Sequence, residues 1–240
     1  MFRQIILPIM LAPIMLAEGA YIAATIQRLP EAEGSRSGVA GTGKPLRLLV
    51  IGDSSAAGVG VSTVAESLAG QIVNNLAPDN EVTWRLIAQS GLTTRDMLKL
   101  LAQQRSEEPP SESFDVAVTA LGVNDVIHGR SVRKWIQDQS AVVEMLRTRF
   151  GVQQVYLSGL PPISRFPAFP QPLRWYLGNR AKALADSLET WVHTQDDCEF
   201  LDMDRPLGTD YMASDGFHPG ARVYELWGAE MAKMIQGKNR

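Results

Sequence analysis

A chain of 240 residues, 45% of them hydrophobic, has enough apolar surface for the core of one α/β domain or two small ones. Its formal net charge of −3, with no long basic run and no nucleic-acid-binding signature, argues against nucleic acid as a partner. A single cysteine, Cys198, cannot close an intrachain disulfide and is expected to be a buried packing residue.

In chain order, residues 1–28 come first as a hydrophobic segment. Arg3 precedes an apolar run from Ile5 to Ala17, Glu18 interrupts it, and apolar character resumes to Ile26. A spanning helix needs about 20 apolar residues, and a secretory leader needs a basic start and a core of about 7–15 apolar residues. An interfacial segment is the third option. Leader or anchor, the segment is expected to associate the chain with a membrane or export it, rather than leave it plainly cytoplasmic. Residues 29–45, rich in Gly, Ser and charge, are expected to be a linker, so the folded domain is expected to cover 46–240.

Strands and helices then alternate. "LRLLVI" (46–51) has the continuous apolar character of a parallel strand buried on both faces. Helical spacing follows at Val64, Leu68, Ile72 and Leu76, opened by the capping-box pair Thr63 and Glu66. Further strands are expected in 81–88, 114–121, 152–160 and 198–203, separated by helices; Pro109 and Pro110 break off the second helix. Five strands alternating with helices predict an α/β fold with a flavodoxin-like parallel sheet, order 2-1-3-4-5, and helices on both faces. Function in such a sheet gathers beyond the carboxyl ends of the strands.

That edge is where the polar residues fall. Gly52-Asp53-Ser54 follows the first strand, Gln89-Ser90-Gly91 the second, Gly122-Val123-Asn124-Asp125 the third, and "SDGFHPG" with Asp215 and His218 the fifth. A serine becomes a nucleophile only with a base in reach, and the base needs an orienting acceptor. His193 lies late in a helix and suits a surface role, and His128 is a minor candidate. His218 is three residues from Asp215, so one turn can hold the carboxylate against one ring nitrogen and leave the other to Ser54. Read alone, Ser214 and Asp215 would equally cap the last helix. Ser54 N–H, Gly91 N–H and the Asn124 amide are candidate oxyanion donors, although Gly91 and Asn124 would each also serve as plain turn residues. Asp53 is expected to brace its loop through neighbouring backbone N–H groups.

These four blocks, "GDSSAAG", Gly91, "GVND" and "DGFH", resemble in order and placement those of the SGNH (GDSL-type) hydrolase superfamily, in a form like that of a bacterial subgroup. The resemblance covers about Leu46 to the C-terminus. It implies a three-layer α/β/α sandwich and ester hydrolysis through an acyl-serine. Ser54 would be the nucleophile, His218 the base, Asp215 its orienting partner, and Gly91 and Asn124 would complete the oxyanion hole with Ser54. Ser55 departs from the leucine common at that place.

The stretch 161–176 is rich in proline and aromatics, and Phe166, Phe169 and Trp175 are candidate walls of an apolar substrate pocket. The expected partner is a small-molecule or lipid ester. Acyl transfer to another acceptor passes through the same intermediate, and a catalytically silent, membrane-tethered binding protein is the alternative from another class. No metal is expected, since no histidine pair has ligand spacing, and no cofactor, since Gly58 and Gly60 lack the remainder of a dinucleotide fingerprint.

Overall fold

The computed structural model describes residues 6–104, 113–204, 208 and 211–238. The helix stop expected at Pro109 and Pro110 and the basic start at Arg3 lie outside the described residues. The elements are α1 (Leu7–Thr25), β1 (Ser37–Ala40), β2 (Lys44–Gly52), α2 (Leu68–Leu76), β3 (Asn80–Ala88), α3 (Thr94–Gln104), β4 (Val116–Ala120), α4 (Val123–Ile127), α5 (Val132–Phe150), β5 (Gln154–Ser158), α6 (Leu173–Val192), β6 (Cys198–Leu201) and α7 (Ala221–Lys238).

The sheet order is β1-β3-β2-β4-β5-β6, with β2 to β6 parallel and β1 antiparallel to β3. The five strands expected from the sequence therefore take the 2-1-3-4-5 order, and a sixth extends the edge. That strand falls within 29–45, so this stretch is not a free linker throughout. Ser37 to Ala40 pair with Arg85 to Val82, Ala32 is buried, and the Ser90 N–H donates to Glu31 Oε1 at 2.7 Å. Arg36 Nη1 donates to the Ala88 carbonyl at 2.6 Å.

Alternation along β2 shows why the helices stand on both faces. Leu49 and Ile51 point into a core shared with α3, α5 and α6, where Met97, Trp135, Leu146 and Leu184 are buried. Leu48 and Val50 point the other way, onto α2 and α7 through Leu68, Ile72, Tyr224 and Met231. All four β2 side chains are fully buried, and each contributes about 1.5–3 kcal/mol of apolar transfer. The helix expected from Thr63 divides into a 3₁₀ turn, Val64–Glu66, and then α2. Glu66 Oε2 accepts the Thr63 N–H at 3.0 Å, which satisfies part of the expected capping box.

α1 packs on α6. By length and composition it is sufficient to cross a membrane. Its single charged residue turns inward: Glu18 Oε2 accepts the Leu173 N–H at 2.9 Å, at the first turn of α6.

Candidate active site

The parallel strands end together, and each delivers its loop to one edge. β2 ends at Gly52, next to Ala88 of β3 and Ala120 of β4. The chain then turns through Asp53 and Ser54, with Asp53 N–H bonded to the Ala120 carbonyl and Val59 N–H to the Ser54 carbonyl. This turn lifts the Ser54 side chain off the sheet.

The loop before α7 brings the histidine to it. Asp215 Oδ1 accepts the backbone N–H groups of Phe217 and His218, both at 2.9 Å, so the carboxylate winds its own turn. Asp215 Oδ2 lies 2.5 Å from His218 Nδ1. His218 Nε2 lies 3.0 Å from Ser54 Oγ, across 164 positions of sequence. An ionised carboxylate can only accept, so Nδ1 carries the ring proton and Nε2 accepts from the Ser54 hydroxyl. The Asp215 side chain is fully enclosed, while the His218 ring keeps partial exposure. Burial alone would raise the Asp215 carboxyl, but the hydrogen bonds from His218 and Phe217 outweigh it and hold the group below the usual range.

Gly60 permits this meeting. It sits at φ +104°, and a Cβ there would stand 2.1 Å from the Pro219 carbonyl oxygen. A side chain would push the serine loop and the histidine loop apart.

Asp53 does brace the loop. Its Oδ1 accepts from Ser55 N–H at 3.0 Å and from Ser55 Oγ at 2.8 Å. Serine at 55 thus supplies a second bond to the brace. Burial pushes the Asp53 carboxyl up to about 6, against the bonds from Ser55 and the field of His218. Asn124, in the first turn of α4, donates its side-chain amide to the Leu92 carbonyl at 3.0 Å and to Asp53 Oδ2 at 3.3 Å. Both amide protons are thereby engaged, the longer bond being the weaker. Gly91 sits in an exposed turn at φ +82° with open space around it.

The remaining histidines lie elsewhere. His128 is exposed, its Nδ1 2.7 Å from the Asn124 carbonyl, and His193 is the exposed C-cap of α6.

A cavity of about 100 Å3 opens on Ser54 and His218, walled by Leu160, Phe166, Met203, Phe217 and Trp227. Of the expected pocket residues, Phe166 lines it. Phe169 stacks on Phe166 with ring centroids 6.4 Å apart, but lines a neighbouring groove instead. Trp175 lines neither, correcting its expected role: it is half-buried in the first turn of α6. Arg165 reaches the cavity and lies 3.6 Å from Asp204 Oδ1. Phe217 escaped the sequence reading, although it directly precedes the histidine. Its ring meets His218 edge-on at 4.7 Å and both Phe166 and Phe169 at under 6 Å. Among the described residues no cluster of ligating side chains suits a metal ion.

A mostly parallel α/β/α sandwich thus carries a serine, a histidine and a carboxylate hydrogen-bonded in series at its strand ends, the arrangement that a serine nucleophile requires. Residues 50–226 match the model of the GDSL-like lipase/acylhydrolase family, and the chain belongs to that family. A lipolytic protein of the G-D-S-L family from Veillonella parvula is similar in structure, with a TM-score of 0.63 at 15% identity over 79% of this chain and 97% of that one. A lipase/acylhydrolase from Enterococcus faecalis gives 0.57 at 23% identity, over 80% and 96%. The psychrotrophic esterase EstA of a Pseudoalteromonas species, solved in a form inhibited by monoethylphosphonate, gives 0.57 at 19%, over 80% and 97%. At these identities the likeness is one of fold. No curated protein matches the chain in sequence.

Proposed function

We propose that the chain is a serine hydrolase that cleaves carboxylic esters through an acyl-serine on Ser54. The observation that carries this reading is the unbroken relay from Asp215 through His218 to Ser54, with contacts of 2.5 and 3.0 Å. His218 Nε2 takes the hydroxyl proton as Ser54 Oγ bonds to the ester carbonyl carbon. The tetrahedral oxyanion is met by Ser54 N–H, Gly91 N–H and the Asn124 amide. Asn124 turns its 3.3 Å bond from Asp53 toward the oxyanion and keeps the shorter one to Leu92. Collapse breaks the ester C–O bond, and the alcohol leaves with the proton from His218. A water then repeats the sequence and frees the acid. A silent binding protein would have no use for an enclosed carboxylate aligned on a histidine.

The cavity beside Ser54 is apolar, which favours a hydrocarbon substituent on the ester, with Phe166 and Phe217 as walls. The catalytic unit begins by about Glu31 rather than at Leu46, because Glu31 and Arg36 are bonded to Ser90 and Ala88. The apolar N-terminal segment supplies a leader or membrane attachment.

The test is steady-state hydrolysis of a chromogenic short-chain aryl ester by the wild type and by Ser54→Ala, His218→Ala and Asp215→Asn, with folding checked by circular dichroism. Each substitution is expected to lower kcat by about 10⁴-fold or more. Retention of activity by folded Ser54→Ala would exclude the acyl-serine.

A further inference from the structure

α1 is apolar on every side, and a helix of that kind needs apolar partners on every side. The catalytic domain covers only one. There Met15 is buried, Leu11 and Ile22 pack against the core beneath α6, and Glu18 is bonded to Leu173. At the far end Gln27 Oε1 accepts the Ser214 hydroxyl at 3.1 Å, one residue from Asp215. Ile9, Met10, Leu16 and Tyr21 are each two-thirds or more exposed, Ile9 and Leu16 on a groove between α1 and α6 and Met10 and Tyr21 outside it. Large apolar side chains bared together mark a contact surface.

The docked pose separates lying on a bilayer from crossing it. Contacts from Leu11 to Gln27 run along the helix, so its long side rests against a folded domain. A helix held this way cannot cross the hydrocarbon without taking the domain with it, whereas its bare side can sink into the interface.

The same helix walls an apolar groove of about 760 Å3 with Ile127, Phe169, Leu173 and Phe217. Phe217 is also a wall of the cavity at Ser54, and its ring touches His218. Groove and catalytic cavity thus share one aromatic side chain.

We propose that α1 remains docked while its bare side rests in the membrane interface, and that the groove between α1 and α6 takes the hydrocarbon tail of an ester drawn from that bilayer, its carbonyl reaching Ser54 past Phe217. This rests on the hydrolase reading and adds a substrate class, the long-chain ester dissolved in a membrane. Glu18, turned onto the α6 N-terminus, is kept from the lipid.

The experiment uses the full chain and vesicles of phosphatidylethanolamine and phosphatidylglycerol. Wild-type protein is expected to float with the vesicles, and the double variant Met10→Asp, Tyr21→Asp, which leaves the groove wall intact, to stay in solution. A second variant fills the groove: Gly19 lines it and a Cβ there meets nothing within 4 Å, so the side chain of Gly19→Trp starts in open space and adds bulk to the groove. The readout is the ratio of kcat/KM on vesicle-embedded 4-methylumbelliferyl oleate to that on soluble 4-methylumbelliferyl acetate. Gly19→Trp is expected to lower this ratio about tenfold, the effect of excluding about two methylenes from an apolar wall. An unchanged ratio would overturn the proposal, and so would a chain that pairs with itself in lipid-free buffer and does not float. Failure of the hydrolase reading shows differently, as no turnover of the acetate ester while flotation and its loss in the double variant persist; the tail-binding half of the proposal would then fall with that reading.

Discussion

Asp53 lies directly beneath the serine and is almost wholly enclosed, with 3% of its surface exposed. Burial lifts its carboxyl from 3.8 to about 6. Between those values the native protein holds a proton that the unfolded chain has released, so this group's contribution to stability declines as pH rises through that window and stays lost above it. Asp53→Asn removes the titration and keeps an oxygen for the Ser55 N–H. Relative to wild type, the variant is expected to gain about 2–3 kcal/mol on going from pH 4 to pH 7. Urea unfolding at the two pH values measures it, and a pH-independent difference would refute the assignment. Asp215 works in the opposite sense: its depressed carboxyl stabilises the fold above the usual carboxylate range, and that contribution is lost as pH falls through its lowered value.

At the scale of elements, the site is two loops that must touch. Gly60 in the serine loop faces Pro219 in the histidine loop with no room for a side chain. Gly60→Ala is expected to open the Ser54–His218 contact and lower kcat by about 10²-fold, the cost of roughly 1 Å of misplacement. It should also strain the backbone by about 1–3 kcal/mol. Parallel measurement of kcat and thermal unfolding checks both, and an alanine variant with wild-type kcat would show that the loops do not depend on this approach. The loops themselves were legible because each follows an apolar run that reads as a strand, and parallel strands bring their ends to one edge. β1 was not legible. "SGVA" has neither length nor alternation, and it becomes a strand because β3 offers an open edge and Arg36 is held by Ala88 and Glu31. The 3₁₀ turn at Val64–Glu66 was hidden for a related reason, since apolar spacing is the same whether one turn is tight or regular.

Across the whole molecule, chemistry concentrates where both cores end. The core above β2 is closed by α3, α5 and α6, the one below it by α2 and α7, and Ser54 stands at their common rim. Sequence could bring Ser54, Asp215 and His218 to one edge because their loops follow strands and a spacing of three joins the last two, and the structure places them in hydrogen-bond contact. It could not set Trp175 apart from Phe166 and Phe169, because the rotation of α6 decides which of its residues are walls: Leu173 and Tyr176 turn to the groove while Trp175 does not. Nor could it show that Glu18, an oddity in an apolar run, caps a helix 155 positions away. The central claim concerns one oxygen atom. Treatment of the folded full chain with a fluorophosphonate, followed by peptide mass spectrometry, should find one equivalent bound at Ser54, with labelling slowed sharply in His218→Ala. An adduct on Ser55 or Ser90 instead, or no adduct on folded wild-type protein, would contradict it.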